Sequence, residues 1–168
     1  AQPERQGESA VITNNVTRML DAKKVPYTAF ELPEEKLGAL EAAEVIGAPS
    51  QQVFKTIVVT RVGNGKPILV VVPGPQEVDL KALARALGEK KLRLPTQREA
   101  ERLTGLQAGG ISPLALIKRG FEVVLDEAAQ SFQEIYISGG QRGLNIRLPV
   151  QALVDLTGAK FAEVSRAS

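Results

Sequence analysis

Two β-branched runs, Val53–Val62 and Pro67–Val72, are joined by Gly63-Asn64-Gly65-Lys66 and constrain this chain more than any other stretch. Gly and Asn accept the positive φ angles of a tight turn, so the segment predicts an antiparallel hairpin. On a period of two, Val53, Lys55, Ile57 and Val59 share one face, and Phe54, Thr56 and Val58 the other. Both faces are mostly apolar, which places the first strand inside a sheet. Lys55 is the exception. Burying an ammonium costs several kcal/mol unless it is paired. The residue therefore needs a carboxylate, carbonyl groups or the mouth of a polar pocket; otherwise it sits at the strand's solvent end and snorkels. Spacing alone leaves both readings open.

The flanking sequence supplies helices and further short strands. Thr13 or Asn14 can cap a helix reaching about Lys24, and Pro26 stops it. Tyr27–Leu32 is a strand candidate, followed by a polar loop over Pro33–Gly38 and a compact helix over Glu41–Ile46 that ends at Gly47. Asp79 opens a helix in which Leu80, Leu83, Ala84 and Leu87 form one apolar stripe, closed by Gly88. Lys90–Leu94 reads as a strand, and Thr96-Gln97-Arg98-Glu99 is a capping box for a helix to Leu103 or Thr104. Strands are expected over Glu122–Leu125, Glu134–Ile137, Leu144–Leu148 and Phe161–Val164. A short helical piece over Asp126–Gln130 and a last helix from Pro149 to about Thr157 lie between them. The fold class is α/β: one domain with a mixed, largely antiparallel sheet and surrounding short helices, expected over 13–168 behind a flexible tail over 1–12.

What is missing narrows the chemistry. With no Cys and no His in 168 residues, there is no thiolate nucleophile, imidazole base, Ser-His-Asp triad or imidazole or thiolate metal ligand. Catalysis, if present, runs on Lys, Arg, carboxylates, hydroxyls, backbone groups or the substrate's own atoms. The net charge of +2 permits contact with a polyanion without demanding it. Two Tyr, five Phe and no Trp argue against a stacked-aromatic surface for single strands. No apolar run approaches the roughly 20 residues of a membrane-spanning helix, and a cytoplasmic location is expected.

Two glycine turns complete the candidate site. Gly109-Gly110-Ile111-Ser112-Pro113 pairs glycines that let backbone approach a ligand with a proline that keeps Ser112 extended. Ser138-Gly139-Gly140-Gln141-Arg142-Gly143 ends one strand and starts the next. Neither is a phosphate loop, because G-x-x-x-x-G-K-[ST] is absent and no G-x-G-x-x-G opens a helix. Each can equally be a turn that needs glycine for geometry alone.

Four words in order, Glu41-Ala42-Ala43-Glu44-Val45-Ile46-Gly47, Val53-Phe54-Lys55-Thr56, Gly109-Gly110-Ile111-Ser112-Pro113-Leu114 and Ser138-Gly139-Gly140-Gln141-Arg142-Gly143-Leu144, make the chain resemble the YbaK/EbsC family of aminoacyl-tRNA deacylases. That family also supplies the editing insertion of bacterial prolyl-tRNA synthetases. The resemblance covers roughly Val16 to Val164. It implies a freestanding trans-editing deacylase that removes a wrong amino acid, cysteine as the first expectation, from tRNA(Pro). It implies no metal, no cofactor and no covalent protein nucleophile. The partner is the 3′ end of an aminoacyl-tRNA, with prolyl-tRNA synthetase a further candidate and no membrane. Lys55 becomes the catalytic residue. Thr56, Gly109, Gly110, Ile111, Ser112, Ser138, Gly139, Gly140 and Asn145 become the substrate-binding set, with backbone N–H groups around Gly110 and Ile111 as an oxyanion-type site. Cysteine-specific members attack the ester with the substrate thiol and release a thiolactone, whereas branches for smaller side chains use water. Those cysteine-specific members carry Asp where Asn145 stands, a Tyr within the stretch Phe30-Glu31-Leu32, and a longer loop before the Glu-Ala-Ala helix. Alanine and serine therefore stay open as the acyl group removed.

Two other functions compete. A non-catalytic tRNA-binding module needs basic surface, for which Lys90, Lys91, Arg93, Arg98 and Arg102, or Lys118 and Arg119, are candidates. A Schiff-base enzyme would use Lys55 as nucleophile, but no cofactor motif accompanies it.

Overall fold

A computed structural model describes residues 12–35, 37–63 and 65–168, together with the backbone of 4–6. Most of the expected tail, and Asn64 in the hairpin turn, lie outside the described residues. The chain runs β1 (Glu4–Gln6), α1 (Asn15–Ala22), β2 (Thr28–Glu31), α2 (Ala39–Ile46), β3 (Phe54–Arg61), β4 (Ile68–Pro73), β5 (Gln76–Val78) and α3 (Leu80–Leu87). It continues through β6 (Leu92–Arg93), α4 (Gln97–Thr104), β7 (Glu122–Asp126), β8 (Glu134–Ser138), β9 (Leu144–Pro149), α5 (Val150–Thr157), β10 (Lys160–Ala162) and β11 (Ser165–Ala167). Short 3₁₀ turns fill Ser50–Gln52, Pro113–Ala115, Ile117–Arg119 and Glu127–Ser131.

The caps act as their residue types require. Asn14 caps α1, accepting from the Thr17 N–H at 2.9 Å, while its own N–H donates to Thr17 Oγ1 at 2.9 Å. Asp79 accepts from the Ala82 N–H at 3.0 Å to open α3, and Thr96 with Glu99 forms the capping box of α4. Gly47, Gly88, Gly105 and Gly158 close their helices in the left-handed conformation.

The fold is α/β with mostly antiparallel pairing, but the strands divide among three sheets rather than one. The orders are β1-β2-β9-β8, β10-β7-β4-β3-β6 and β11-β5. Among the described residues, only the β10–β7 and β4–β7 ladders are parallel. A single parallel bridge, Val53 to Tyr136, ties the start of β3 to β8 and so joins the two larger sheets. The expected closing strand shifts to β10 and β11, leaving Val164 between them fully buried, its N–H on Asp126 Oδ1 at 2.9 Å.

β4 is buried along its whole length, and β3 lies beside it. One side of this pair, with Phe54, Val58, Leu69 and Val71, packs into the main core against Ile135, Ile137 and Ile146. The other, with Ile57, Val59, Val70 and Val72, packs against Leu83 of α3. Away from β4, β3 pairs with β6 only at Thr60 and Arg61. Between that short ladder and the bridge at Val53, no strand partner is recorded for 54–59 on this edge among the described residues. That open edge positions the site.

Candidate functional site

Two cavities meet at the open edge of β3. The first, about 270 Å³, is bordered by Val53–Ile57, the turn at Ala108–Gly109 with Ile111, Ser138, and Gly143–Asn145. The second, about 600 Å³, lies toward α3. Lys55 and Ile57 are the residues common to both linings. Lys55 and Thr56 leave opposite faces of the strand yet border the same first cavity, so the cavity wraps around the strand's edge.

Lys55 is half-buried and makes no hydrogen bond or ion pair among the described residues. Burial lowers its pKa below the ordinary lysine value, and the negative charge of Glu77 partly opposes that. It is neither a deeply buried ion pair nor a fully solvated charge. Thr56 Oγ1 and Asn145 Oδ1, whose residues also border the first cavity, are buried polar atoms without a hydrogen-bond partner among the described residues. Asn145 is only 6% exposed. Burying such groups is costly unless something bonds to them, so both atoms are poised for a bound molecule or water.

The glycine turns form one unit. A Cβ on Gly110 would stand 2.8 Å from Gln141 Cα, 2.9 Å from Gln141 C and 3.0 Å from Arg142 N, so the two turns touch backbone to backbone. Arg142 Nε donates to the Ala108 carbonyl at 2.7 Å, and Ser138 Oγ lies 3.4 Å from the Gly109 carbonyl. From the first helix, Asn14 Nδ2 donates to Gly139 O and Gln141 Oε1, both at 3.0 Å. Gly109 needs its left-handed φ of 90° to turn the chain into the cavity wall.

Six expected residues border the first cavity: Lys55, Thr56, Gly109, Ile111, Ser138 and Asn145. Four do not. Gly110 is buried against the opposite turn, and its N–H donates to Gln107 O at 2.8 Å. Ser112 is fully buried and caps the following turn through the Leu114 N–H at 3.2 Å. Gly139 packs on Leu144 and Ile146, with its N–H on Leu144 O, and Gly140 packs on Val16 and Ala115. The Gly110 N–H is thus occupied, whereas the N–H groups of Gly109 and of Ile111 have no recorded partner among the described residues.

Sequence reading missed two parts of the site. Leu32, Pro33, Leu37 and Ala39 build an apolar wall from the loop before α2 and its first turn. Phe30 instead points away, packing against Tyr136 at 5.6 Å between ring centroids. Glu77 in β5, the charge that faces Lys55, carried no signal because a three-residue strand has no periodicity to read. Among the described residues, no three His, Cys, Asp or Glu side chains cluster as metal ligands. None of their helices is long and apolar enough to cross a membrane.

Comparison with known proteins places this geometry among relatives. A model of the aminoacyl-tRNA editing domain matches residues 34–156. EbsC of Enterococcus faecalis, a proposed Cys-tRNA(Pro)/Cys-tRNA(Cys) deacylase, is 40% identical over 154 residues, covering 90% of this chain and 92% of EbsC. A proline–tRNA ligase of Trichlorobacter lovleyi is 30% identical over 149 residues, a match to 80% of this chain but 25% of the ligase. The crystal structure of a hypothetical protein superposes with a TM-score of 0.82 at 26% identity, over 91% of this chain and all of that one (100%). That of a proposed trans-editing enzyme for prolyl-tRNA synthetase gives a TM-score of 0.73 at 28% identity, over 93% and 99% of the two chains.

Proposed function

The chain belongs to the aminoacyl-tRNA editing domain family, and from that premise we propose that it is a trans-editing deacylase acting on mischarged tRNA(Pro), with cysteine the first acyl group to test and alanine and serine next. The working unit is 13–168, acting in the cytoplasm on the 3′ end of the aminoacyl-tRNA. The observation that carries the reading is a lysine lining one cavity with two residues, Gly109 and Ile111, where among the described residues the lysine has no ion pair and the two N–H groups no recorded partner.

The bond to be broken joins the acyl carbon to a ribose oxygen of the terminal adenosine. Attack on that carbon places negative charge on the carbonyl oxygen. The Lys55 ammonium and the N–H groups of Gly109 and Ile111 are positioned to meet that charge as it develops. Partial burial strengthens the interaction relative to water. When the tetrahedral adduct collapses, the bond to the ribose oxygen breaks and that oxygen takes up a proton. The acyl group leaves as a free amino acid if water attacked, or as a thiolactone if the substrate's own thiol did. Ser138 and Asn145, paired across β8 and β9, hold the substrate amine or ribose, and Thr56 adds a hydroxyl.

Single-turnover deacylation of tRNA(Pro) charged in turn with Cys, Ala, Ser and Pro tests this, with wild type and Lys55→Ala side by side. A donor of this kind is typically worth about 3 kcal/mol, so Lys55→Ala should slow loss of the true substrate at least roughly 100-fold. Protection of every ester by both proteins overturns the proposal in favour of tRNA binding alone. The lowered Lys55 pKa is also what a Schiff-base lysine shows; borohydride trapping of a carbonyl compound on Lys55 would favour that reading instead.

A further inference from the structure

The second cavity has no part in the chemistry just described, yet it opens from the same edge of β3. Its lining divides into two kinds of surface. Ile57, Val78, Leu80 and Leu94 are apolar, and Leu94 is 51% exposed, a large side chain left uncovered. Lys55, Lys81 and Arg166 bring positive charge, against Glu77 and Asp79. Both carboxylates are already engaged: Glu77 Oε1 lies 3.3 Å from Arg166 Nη2, and Asp79 is occupied as the cap of α3. Lys55 and Lys81 have no ion-pair partner among the described residues. Because Asp79 caps α3, the cations rather than helix amides are left to meet an anion.

An apolar face beside three cations that outnumber two carboxylates suits a nucleobase with its phosphate. The volume of about 600 Å³ falls within the roughly 300–1,000 Å³ of small-molecule sites. The cavity adjoins the place where the esterified adenosine would sit, with Lys55 at the junction. We propose that the second cavity is a subsite for the nucleotide that precedes the terminal adenosine, its base lying on Leu80 and Leu94 and the phosphodiester that joins it to the adenosine held by Lys81. The inference rests on the deacylase reading. It adds a length requirement: the site grips two nucleotides, not one.

Two minimal substrates separate the subsite from the chemistry. One is the aminoacyl ester of adenosine; the other is the same ester on the dinucleotide cytidylyl-adenosine. Wild type should favour the dinucleotide by about tenfold in kcat/KM, equivalent to about 1.4 kcal/mol. In Lys81→Gln/Leu94→Ala the preference should shrink to about twofold or less. Turnover of the adenosine ester, which does not fill the second cavity, should persist and remain dependent on Lys55. Arg166 is left in place because its pair with Glu77 bears on Lys55. Cytidylyl-adenosine without an aminoacyl group, titrated by calorimetry, should bind wild type more tightly than adenosine does, and the double variant equally with adenosine. Equal preference in wild type, or a preference that survives the double substitution, overturns the subsite while leaving the deacylase intact. Loss of turnover on both esters assigns Lys81 and Leu94 to folding and overturns it too; the single exposed-site change Lys81→Gln guards against that outcome. Should neither ester be cleaved by wild type, the calorimetry decides the subsite, which absence of dinucleotide-selective binding overturns, and the charged-tRNA(Pro) assay decides the deacylase reading separately.

Discussion

Replacing Gly110 by alanine adds one methyl group at the seam between the two glycine turns. All three atoms it would meet within 3.0 Å belong to the backbone of Gln141 and Arg142, so no rotamer change can make room. Gly110 does not have a positive φ, and Ala adopts its backbone conformation without strain. The effect is therefore steric alone. Moving the nearest contact from 2.8 Å to the 3.4 Å edge of ordinary van der Waals distance requires the turns to separate by at least roughly 0.6 Å. Overpacking of this kind costs about 1–3 kcal/mol, which for a chain of this length lowers Tm by about 2–12 °C. The larger effect is on the reaction. Gly109 and Ile111 flank the displaced residue, and a misplacement approaching 1 Å can cost about 100-fold in rate. Gly158→Ala is the comparison: φ there is 70° and nothing lies within 4 Å, so it loses about 1 kcal/mol to backbone strain at the end of α5 and leaves the site alone. Thermal melts and single-turnover deacylation on both variants decide the matter. If Gly110→Ala loses stability but keeps its rate, as Gly158→Ala should, the contact between the turns does not set the geometry of the cavity.

The charge on Lys55 gives a pH prediction. Burial lowers its pKa, so a rate that needs the ammonium should fall with rising pH before an ordinary lysine would titrate; Glu77→Gln, which removes the opposing charge, should shift that fall to lower pH still. For folding, the unfolded state holds the lysine proton more tightly than the folded one. The Lys55 contribution to stability therefore rises as pH climbs from the folded pKa toward the ordinary lysine value, and at neutral pH the charge is a burden. Lys55→Met should accordingly abolish turnover while raising Tm at neutral pH by up to about 3 °C; a drop in Tm would show that Lys55 is paired in solution. Asn145→Asp replaces a buried atom without a protein partner at the cavity wall, and should change the ratio of deacylation rates among the Cys, Ala and Ser esters by about tenfold or more, measured in the same single-turnover assay. Asn14→Ala removes a helix cap and two bonds to the second turn, so it should cost about 1–2 kcal/mol by denaturant titration and also slow turnover.

Local signals carried the reading of the helices. Asn14, Asp79, Thr96 and the closing glycines are legible because a cap is a contact between residues three or four apart. The hairpin was legible for the same reason. Lys55 stood out because its charge conflicts with the apolar pattern around it, and the cavity at the open edge of β3 resolves that conflict. What could not be read depends on contacts made by distant segments. Tyr136 meets Val53, and Gln141 meets Gly110, through sheet topology that no periodicity encodes. The same limit covers Gly110, Gly139 and Gly140: a glycine that opens space for a ligand and one that makes way for another loop look alike in sequence. Short strands such as β5 and β11 owe their existence to each other.

The bonds from Asn14 to the second glycine turn span 125 and 127 residues. A chain emerging from the ribosome cannot complete this clasp until Gln141 is free, 127 residues after Asn14. Contacts of such separation also carry a large loop-closure cost, which puts them late in folding. The site should thus be among the last parts of the molecule to mature: a truncated or partly folded chain can hold native helices and a native hairpin and still lack a working pocket. Hydrogen exchange during refolding would show this directly, with the local β3–β4 hairpin protected early and the amides of 139–144 only as activity returns.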